Sequence, residues 1–498
     1  MSYYLIGIGG TGARCMESFI HLNSAGLLND GQKKVELVYV DADVSCGNLT
    51  RTQQTAALYQ KARRIGFGET GLFQNEFDEI GFWTPVADGY NTMDDIFHHT
   101  SLINKEGTHA LGLLYDSLYT EQERETDLAK GFRGHPSIGA AVMTERMNAD
   151  EDPWKTLLPK INADSEAKIF LFASVFGGTG AAGFPTIAHL LYDNLKKDSN
   201  DKCVARIAGA LVLPYFQFPP ADEANTQEMQ AKVDEFMLNT KSALEYYDHS
   251  EKVQSTFTSI YLVGDNDLTE VKNFSLGSGT QKNEAHFIEM YAALAAVDFF
   301  NRTEYENSLT VPMVARSDEN NDSIEWEDLP DDNIRGSLSE KLGTLVRVLY
   351  AYQHGVFPSL QECSTDEKAK RKVAWYKDLV EKQGKIDVFQ NPEIMQEFKA
   401  LGEYADRFFT WLGEIVSNPK RHVKLVDPQA CNTENLISQK FPLNLEELVY
   451  PKSSGKKMDY KEFWQELCGA AKHADKNNEL SGKEYLMQAI YDICHSVK

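Results

Sequence analysis

Two glycine-rich loops stand far apart in the chain, and each follows an apolar run and precedes a helical pattern. The first covers residues 7–14 (GIGGTGAR), after residues 3–6, and the second covers residues 177–183 (GGTGAAG), after residues 169–174. Glycines let backbone N–H groups close around phosphate oxygens, and the helix that follows adds its positive N-terminal end. Two loops with the same Gly-Gly-Thr-Gly core therefore predict a polyphosphate that is held from two sides.

Net charge limits the ligands that a chain of 498 residues can attract. The sequence has 74 acidic and 50 basic residues, for a formal net charge of −24. A field of this sign repels the phosphate backbones of nucleic acids and anionic membrane surfaces. We therefore expect no nucleic-acid partner and no direct membrane insertion. A single nucleotide remains compatible, because its binding depends on local backbone dipoles.

The cysteines predict a reducing compartment. There are seven of them, an odd number, and no CxxC pair occurs. This pattern argues against a disulfide framework and against a zinc site. The sequence opens on a strand pattern, and no apolar run approaches the length of a membrane-spanning helix. We expect a cytoplasmic protein.

The order of the patterns predicts an α/β fold. A strand over 3–7, a helix over 13–22 and a strand over 35–40 form a parallel βαβ unit around the first loop. Residues 50–130 are mixed and mostly polar, and they predict no clear elements. A third glycine loop covers residues 131–139. Further helices are expected at 140–147 and 223–247, and further strands at 167–174, 204–213 and 259–263.

The second half of the chain begins with an apolar helix. A helix is expected over residues 283–300, and its middle, residues 287–297, is apolar nearly all round, which predicts burial on most sides. We expect a nucleotide-binding domain over 1–300 that ends in this central helix. An acidic loop region over 301–333 follows, with 318–322 as its most exposed part. A mainly helical C-terminal domain covers 334–498, with helices expected at 338–352, 364–385, 392–416 and 460–474.

The order of these loops resembles the tubulin/FtsZ superfamily of GTPases. Residues 176–185 (FGGTGAAGFP) match the family stretch GGGTGTGAAP, residues 134–139 (GHPSIG) match its ANPEVG-like stretch, and residues 213–218 (LPYFQF) look like its KPFxFEG stretch. The resemblance covers roughly residues 3–300 and is closest to divergent bacterial tubulin-like proteins. It implies a Rossmann-like GTPase domain with a parallel sheet and a central helix, followed here by a mainly helical C-terminal region.

The resemblance also assigns the phosphate contacts. It implies that GTP or GDP is the ligand, with Mg²⁺. The first loop would contact the α- and β-phosphates through Gly9, Gly10, Thr11 and Gly12. The second loop would cradle the β- and γ-phosphates through Gly177, Gly178, Thr179 and Gly180. The third loop would sense the γ-phosphate through Gly134 and the backbone near His135.

The remaining nucleotide contacts are less sharply defined by sequence. Asp41 and Asp43 end a strand, where ligands of open α/β sheets bind, and their carboxylates suit the sugar or Mg²⁺. The resemblance also implies that Phe218, in the aromatic stretch 213–218, belongs to the nucleotide site. For the base, the family position falls on either Asn283 and Glu284 or His286, and the sequence does not decide between them.

Hydrolysis in this superfamily is shared between subunits through an NxDxxD loop. Asp328 and Asp331 have the spacing of its two carboxylates, whereas Trp326 replaces the leading Asn. The resemblance therefore implies that these aspartates complete a neighbour's site when copies assemble head to tail into filaments. The C-terminal region is a candidate surface for a further protein partner.

Other interpretations remain open. Gly7, Gly9 and Gly12 also fit the dinucleotide fingerprint GxGxxG, with Asp41 as the ribose contact, which would indicate an NAD or FAD oxidoreductase. The second and third loops have no role in that interpretation. A nucleotide-gated scaffold with degenerate catalysis is another alternative. The acidic loop can simply be solvated, Asn283 can be a helix N-cap, and His286 can be a satisfied core histidine.

Overall fold

We describe a computed structural model of the chain. It describes residues 2–29, 34–86, 89–132, 134–217, 233–270, 279, 282–305, 309–310, 323–334, 337–377, 379, 392–432, 441–452, 457–473 and 482–497. Three predicted features lie outside these ranges: Phe218, the first part (residues 223–232) of the helix expected over 223–247, and the acidic loop 318–322.

A six-stranded parallel sheet organises the N-terminal part of the chain. Its strands are β1 (Tyr3–Ile8), β2 (Lys34–Val40), β3 (Glu76–Trp83), β4 (Lys168–Ser174), β5 (Arg206–Val212) and β7 (Ser259–Val263). Their order across the sheet is β3-β2-β1-β4-β5-β7, and every pair is parallel. The chain thus builds outward from β1 in one direction and from β4 in the other. The predicted α/β class with a parallel sheet is confirmed.

Short strand pairs and helices complete the fold. The minor strands are β6 (Phe216–Gln217) with β8 (Thr269–Glu270) and β9 (Ser323–Ile324) with β10 (His422–Val423). Helices up to the end of the sheet are α1 (Gly9–Asn23), α2 (Gly47–Arg63), α3 (Met93–Ile96), α4 (His99–Asn104), α5 (His109–Leu118), α6 (Glu121–Arg124), α7 (Pro136–Arg146), α8 (Trp154–Ala163), α9 (Gly178–Asn194), α10 (Val233–His249) and α11 (Glu251–Thr256).

The sheet is buried on both faces, so its side chains feed two cores. Tyr3 and Leu5 point to the face that α1 and α2 cover, whereas Tyr4 and Ile6 point to the face that α7, α8 and α9 cover. This alternation follows from the two-residue period of a strand. Burial on both faces also explains why the strands read as continuous apolar runs.

The central helix is α12 (Phe287–Asn301), and all its residues except Asp298 and the last are buried. Its burial confirms the apolar pattern, but its start differs from the predicted Asn283. His286 is the N-cap, because its Nδ1 accepts a hydrogen bond from the backbone N–H of Ile288. The interpretation of Asn283 as the N-cap is therefore wrong.

The described part of the C-terminal region is mainly helical, as predicted. Its helices are α13 (Leu338–Ala351), α14 (Phe357–Thr365), α15 (Ala374–Tyr376), α16 (Pro392–Val416), α17 (Tyr460–His473) and α18 (Gly482–His495). The single helix predicted over 364–385 is wrong. The chain leaves the helix at Asp366, where the carboxylate accepts from the backbone N–H of Lys368 and offers the backbone a turn instead.

The C-terminal helices pack on the same core as α1 and α12. The indole N–H of Trp411 in α16 donates to Ser18 of α1 at 3.0 Å, and His21 stacks on the same indole.

The domain boundaries predicted at residues 300 and 333 remain a prediction. Within the described ranges, none of the helices combines the length and apolar character that crossing a membrane requires.

The C-terminal end of α12 offers a test of the core. Phe300 is 1% exposed and stacks on Tyr3 of β1 with ring centroids 4.5 Å apart. We expect Phe300→Ala to lower the free energy of unfolding by about 3–5 kcal/mol, because a buried ring leaves a cavity. Urea denaturation measures this loss. Leu118→Ala, at a residue that is 64% exposed, is the control and should stay within about 0.5 kcal/mol of the natural protein; equal losses would contradict the packing.

Candidate functional site

The first two glycine loops meet at the boundary between β1 and β4. These strands are neighbours and parallel, so the loops that follow them leave the same edge of the sheet. The chain diverges at this point, with β2 and β3 on one side and β5 and β7 on the other. Such switch points open a crevice at the carboxyl ends of the strands, where ligands of α/β sheets bind. The two predicted phosphate loops therefore share one crevice.

Contacts between the loops leave no room for side chains. A Cβ on Gly9, which has φ +71°, would lie 3.3 Å from Thr179 Cβ. A Cβ on Gly12 would lie 2.6 Å from the carbonyl oxygen of Phe172 in β4, and one on Gly180 would lie 2.6 Å from the carbonyl oxygen of Ser174. The glycines thus bring the N-termini of α1 and α9 close together, at the same edge of the sheet.

The third loop joins the same cluster. His135 is the N-cap of α7, and its N–H donates to the carbonyl of Phe132 at 2.8 Å. A Cβ on Gly178 would lie 2.6 Å from Phe132 Cβ, so this loop touches the second one. Gly134 has φ +80°. The Nε2 atom of His135 is buried and has no hydrogen-bond partner among the described residues, which suits a ligand atom at this position.

Asp41 and Asp43 follow β2 at the same edge, and both are buried. Asp41 accepts hydrogen bonds from the Asp43 N–H at 3.3 Å and from the Thr179 hydroxyl at 3.5 Å, which ties it to the second loop. Asp43 accepts from both the N–H and the hydroxyl of Ser45. Burial raises the pKa of Asp41 to about 7. A cation beside the carboxylate would offset that cost, so the pair fits Mg²⁺.

The residues predicted for the base are engaged with the protein. Asn283 forms a reciprocal pair with Asn48 of α2, at 3.1 and 3.0 Å. Glu284 is exposed at the rim of a small pocket of about 70 Å³ that His286 also lines. The His286 ring uses its second nitrogen on the Thr269 hydroxyl, at 3.0 Å. Burial lowers the pKa of His286 to about 4, so the ring is neutral.

Sequence reasoning missed the charged centre of that pocket. Arg14 of α1 forms an ion pair with Glu289 of α12 at 2.5 Å, and each side chain is at most 4% exposed. Tyr215 accepts from Arg14 and donates to Glu289 at 2.6 Å. The signal was available, because the first ionised side chain of each helix stands among apolar or small neighbours, and the two side chains have opposite charge.

The predicted catalytic aspartates lie away from the glycine loops. Asp328 lies beside the second turn of α12, where its carbonyl accepts from the Tyr291 hydroxyl at 2.7 Å. Asp331 is exposed and lies two residues before Asn333, whose carbonyl accepts from Asn29, beyond the far end of α1. A helix of 15 residues, as α1 is, spans about 22 Å. Asp331 is therefore at the opposite edge of the sheet from the crevice and cannot act on a ligand in its own chain.

Taken together, the crevice can hold a polyphosphate. Three helix N-termini and their loops supply backbone donors and positive dipole ends, and two buried carboxylates supply cation ligands. The pocket of Arg14 and His286 extends from the first loop toward α12. No group of three or more potential metal-ligating side chains occurs in the described ranges, so a bound cation would also need ligand or water oxygens.

Comparisons with known proteins return solved structures alone. No protein-family model and no curated protein matches the chain. CetZ2 from Haloferax volcanii, a GTPγS-bound protofilament, is 14% identical over 60% of this chain and 59% of its own, with a TM-score of 0.27. CetZ from Methanosaeta thermophila is 15% identical over 53% and 46%, and an empty FtsZ dimer from M. jannaschii is 13% identical over 53% and 45%, both with TM-scores of 0.24. The chain thus covers less than two thirds of each of these proteins.

Because the pKa of Asp41 is raised, we expect the effect of Asp41→Asn on the free energy of unfolding to depend on pH. The folded chain retains a proton up to about pH 7 that the unfolded chain releases near pH 4, so this carboxyl lowers the free energy of unfolding as pH rises through that window. Asp41→Asn has no such proton. We expect the stability of the variant relative to the natural protein to rise by about 2 kcal/mol between pH 5 and pH 8.

Urea denaturation of the nucleotide-free protein at both pH values measures the difference. Asp332→Asn is the control, because Asp332 is exposed and its difference should stay within about 0.5 kcal/mol at both pH values. A difference for Asp41→Asn that does not change with pH would show that the carboxyl is already ionised in the folded chain.

Proposed function

We propose that this chain is a tubulin/FtsZ-like protein that binds GTP or GDP with Mg²⁺ and hydrolyses GTP when copies assemble head to tail. One observation carries the proposal: two Gly-Gly-Thr-Gly loops, which follow adjacent parallel strands, touch each other at the switch point of the sheet. A dinucleotide site needs one such loop. A second loop facing the first suits a longer phosphate chain, whose charge is spread over both helix N-termini.

The phosphates would be held mainly by the backbone. The first loop holds the α- and β-phosphates, the second holds the β- and γ-phosphates, and the third approaches the γ-phosphate with His135. Asp41 and Asp43 hold Mg²⁺ beside Thr179. Hydrogen bonds to charged oxygens contribute about 1.5–3 kcal/mol each, so a few of them are enough for tight binding.

The base would lie in the pocket between the first loop and α12. Arg14 and Glu289 line this pocket as a pair that is already bonded to Tyr215, and the ring of Phe216, 5.9 Å from the Arg14 guanidinium, offers the base an apolar face. The assignment of guanine depends on the sequence resemblance. Within this pocket, His286 stays neutral and keeps α12 capped.

Catalysis would need two copies, because Asp331 and the crevice lie at opposite edges of one chain. In a head-to-tail contact, the Asp331 edge of one copy faces the crevice of the next. A carboxylate there would polarise the attacking water, while backbone N–H groups and the cation stabilise the charge on the phosphates. A contact of this kind does not close on itself, so it extends into a filament.

The Thr179 hydroxyl allows a conservative test of binding. Thr179→Val keeps the shape of the side chain and removes the hydroxyl that faces Asp41. We expect the Kd for Mg-GTP to rise by about 10- to 100-fold, as expected for the loss of one hydrogen bond to a charged group. Isothermal titration calorimetry measures it. Thr186→Val is the matched control, because Thr186 is equally buried in α9 but bonds to the Ala182 carbonyl; equal effects would argue against nucleotide at the second loop.

Mixing two inactive variants tests the shared site. Gly10→Asp places a carboxylate among the phosphates and should abolish binding, whereas Asp331→Ala should bind GTP and not hydrolyse it. A 1:1 mixture should recover about a quarter of the natural turnover, because one interface type in four joins an intact crevice to an intact Asp331. The readout is phosphate release against protein concentration, with light scattering in parallel.

Each variant alone is the control for the mixture, and circular dichroism checks that both are folded. Turnover of Asp331→Ala equal to that of the natural protein would exclude Asp331 as a catalytic residue. A mixture without turnover, from two folded variants that assemble, would contradict a site shared between copies.

A further inference from the structure

A cleft of about 520 Å³ lies between α1, α2 and the long helix α16, away from the glycine loops. Its walls include Glu17, Arg51, Arg407, Trp411 and Glu414. Pockets that bind small molecules typically measure about 300–1,000 Å³, so the cleft has the volume of a ligand site. The phosphate-binding role proposed above does not use it.

The polar wall of the cleft is held in place by the protein. Arg51 donates through Nε to Glu17 at 2.7 Å and through Nη1 to the carbonyl of Asn283 at 2.8 Å. Arg407 of α16 reaches across and donates to the carbonyl of Arg51 at 3.2 Å and to the side chain of Gln54 at 3.2 Å. The Arg51 guanidinium is therefore preorganised by groups from two different segments, and Arg407 ties the backbone of α2 to α16 beside it.

One donor in this wall remains unused. The Nη2 atom of Arg51 is buried and has no hydrogen-bond partner among the described residues. An unsatisfied buried donor is unfavourable, and on a guanidinium it is best satisfied by an anion. Arg51 is one of the residues that line the cleft, so an anion held against this wall would satisfy the donor.

The acidic residues of the cleft are already engaged. Glu17 accepts from Arg51 and from the Thr55 hydroxyl, and Asp406 accepts from the Gln353 amide. Glu414 accepts from the N–H of Ala285 at 2.6 Å. Burial raises the pKa of Glu414 to about 7, which reduces the negative charge of the wall near neutral pH. The fourth acidic residue, Glu403, is exposed and pairs with Lys399 at 3.6 Å. The Arg51 donor without a partner among the described residues therefore favours a negatively charged group.

We propose that this cleft is a second ligand site, and that it binds a small organic anion. The carboxylate or phosphate of the ligand accepts from Arg51 Nη2, and its apolar body lies along Leu58 and Trp411. Both apolar residues line the cleft. The site shares no residue with the glycine loops, although Lys282 and Glu414 also line the small pocket beside Arg14.

Three probes of similar size test the proposal on the full chain without nucleotide. They are 4-phenylbutyrate, phenyl phosphate and the neutral 4-phenylbutyramide, and calorimetry gives stoichiometry and affinity. We expect one equivalent of at least one anion to bind, and the amide to bind at least about tenfold more weakly, since it lacks the charge that Arg51 recognises. The two anions distinguish a carboxylate ligand from a phosphate ligand. The absence of saturable binding, or equal binding of the amide, overturns the proposal.

Two variants locate the bound anion. Arg51→Gln should weaken anion binding at least about tenfold, but it also breaks the pair with Glu17. Thr410→Trp leaves that pair intact and fills the cleft from the exposed face of α16, so it should abolish binding. Thr365→Trp, at the exposed end of α14, is the matched control and should bind as the natural protein does. Anion binding that survives Thr410→Trp overturns the assignment to this cleft.

Discussion

The close approach of α1 to the backbone of β4 is the constraint on which the rest of the site depends. At Gly12 a single extra carbon would lie 2.6 Å from the Phe172 carbonyl oxygen, so any side chain would push the helix off the sheet. The same lack of side chains lets Gly9 meet the second loop at Thr179. Helix packing and the proposed ligand binding thus both require glycine here, because the residues that let α1 pack closely on β4 also lack side chains that would cover its first N–H groups.

The buried ion pair between Arg14 and Glu289 joins the first loop to the central helix. Burying two charges is costly unless geometry and further hydrogen bonds compensate, and here Tyr215 bonds to both partners. The pair fixes the start of α12 relative to α1. It therefore holds the pocket between α1 and the start of α12 in place, and it links the packing of the core to the shape of that pocket.

The segment that leads into α12 connects the two candidate ligand sites. Asn283 is paired with Asn48, next to the first loop, and its carbonyl accepts from Arg51 in the wall of the large cleft. Glu414 and Lys282 line both the cleft and the small pocket. The two candidate ligand sites therefore share part of their walls.

The sequence by itself determined the α/β class, five of the six strands of the sheet (all but β3), the buried central helix and the glycine loops, because these depend on local periodicity and on residues with a special backbone. The tertiary structure alone decided that the loops share one crevice, that His286 rather than Asn283 caps α12, and that Asp331 faces away from the crevice. It also decided the partners of Arg14, Glu289 and Arg51. These contacts join residues far apart in the chain, and a pairing across such a distance depends on how the elements pack, which no local pattern encodes.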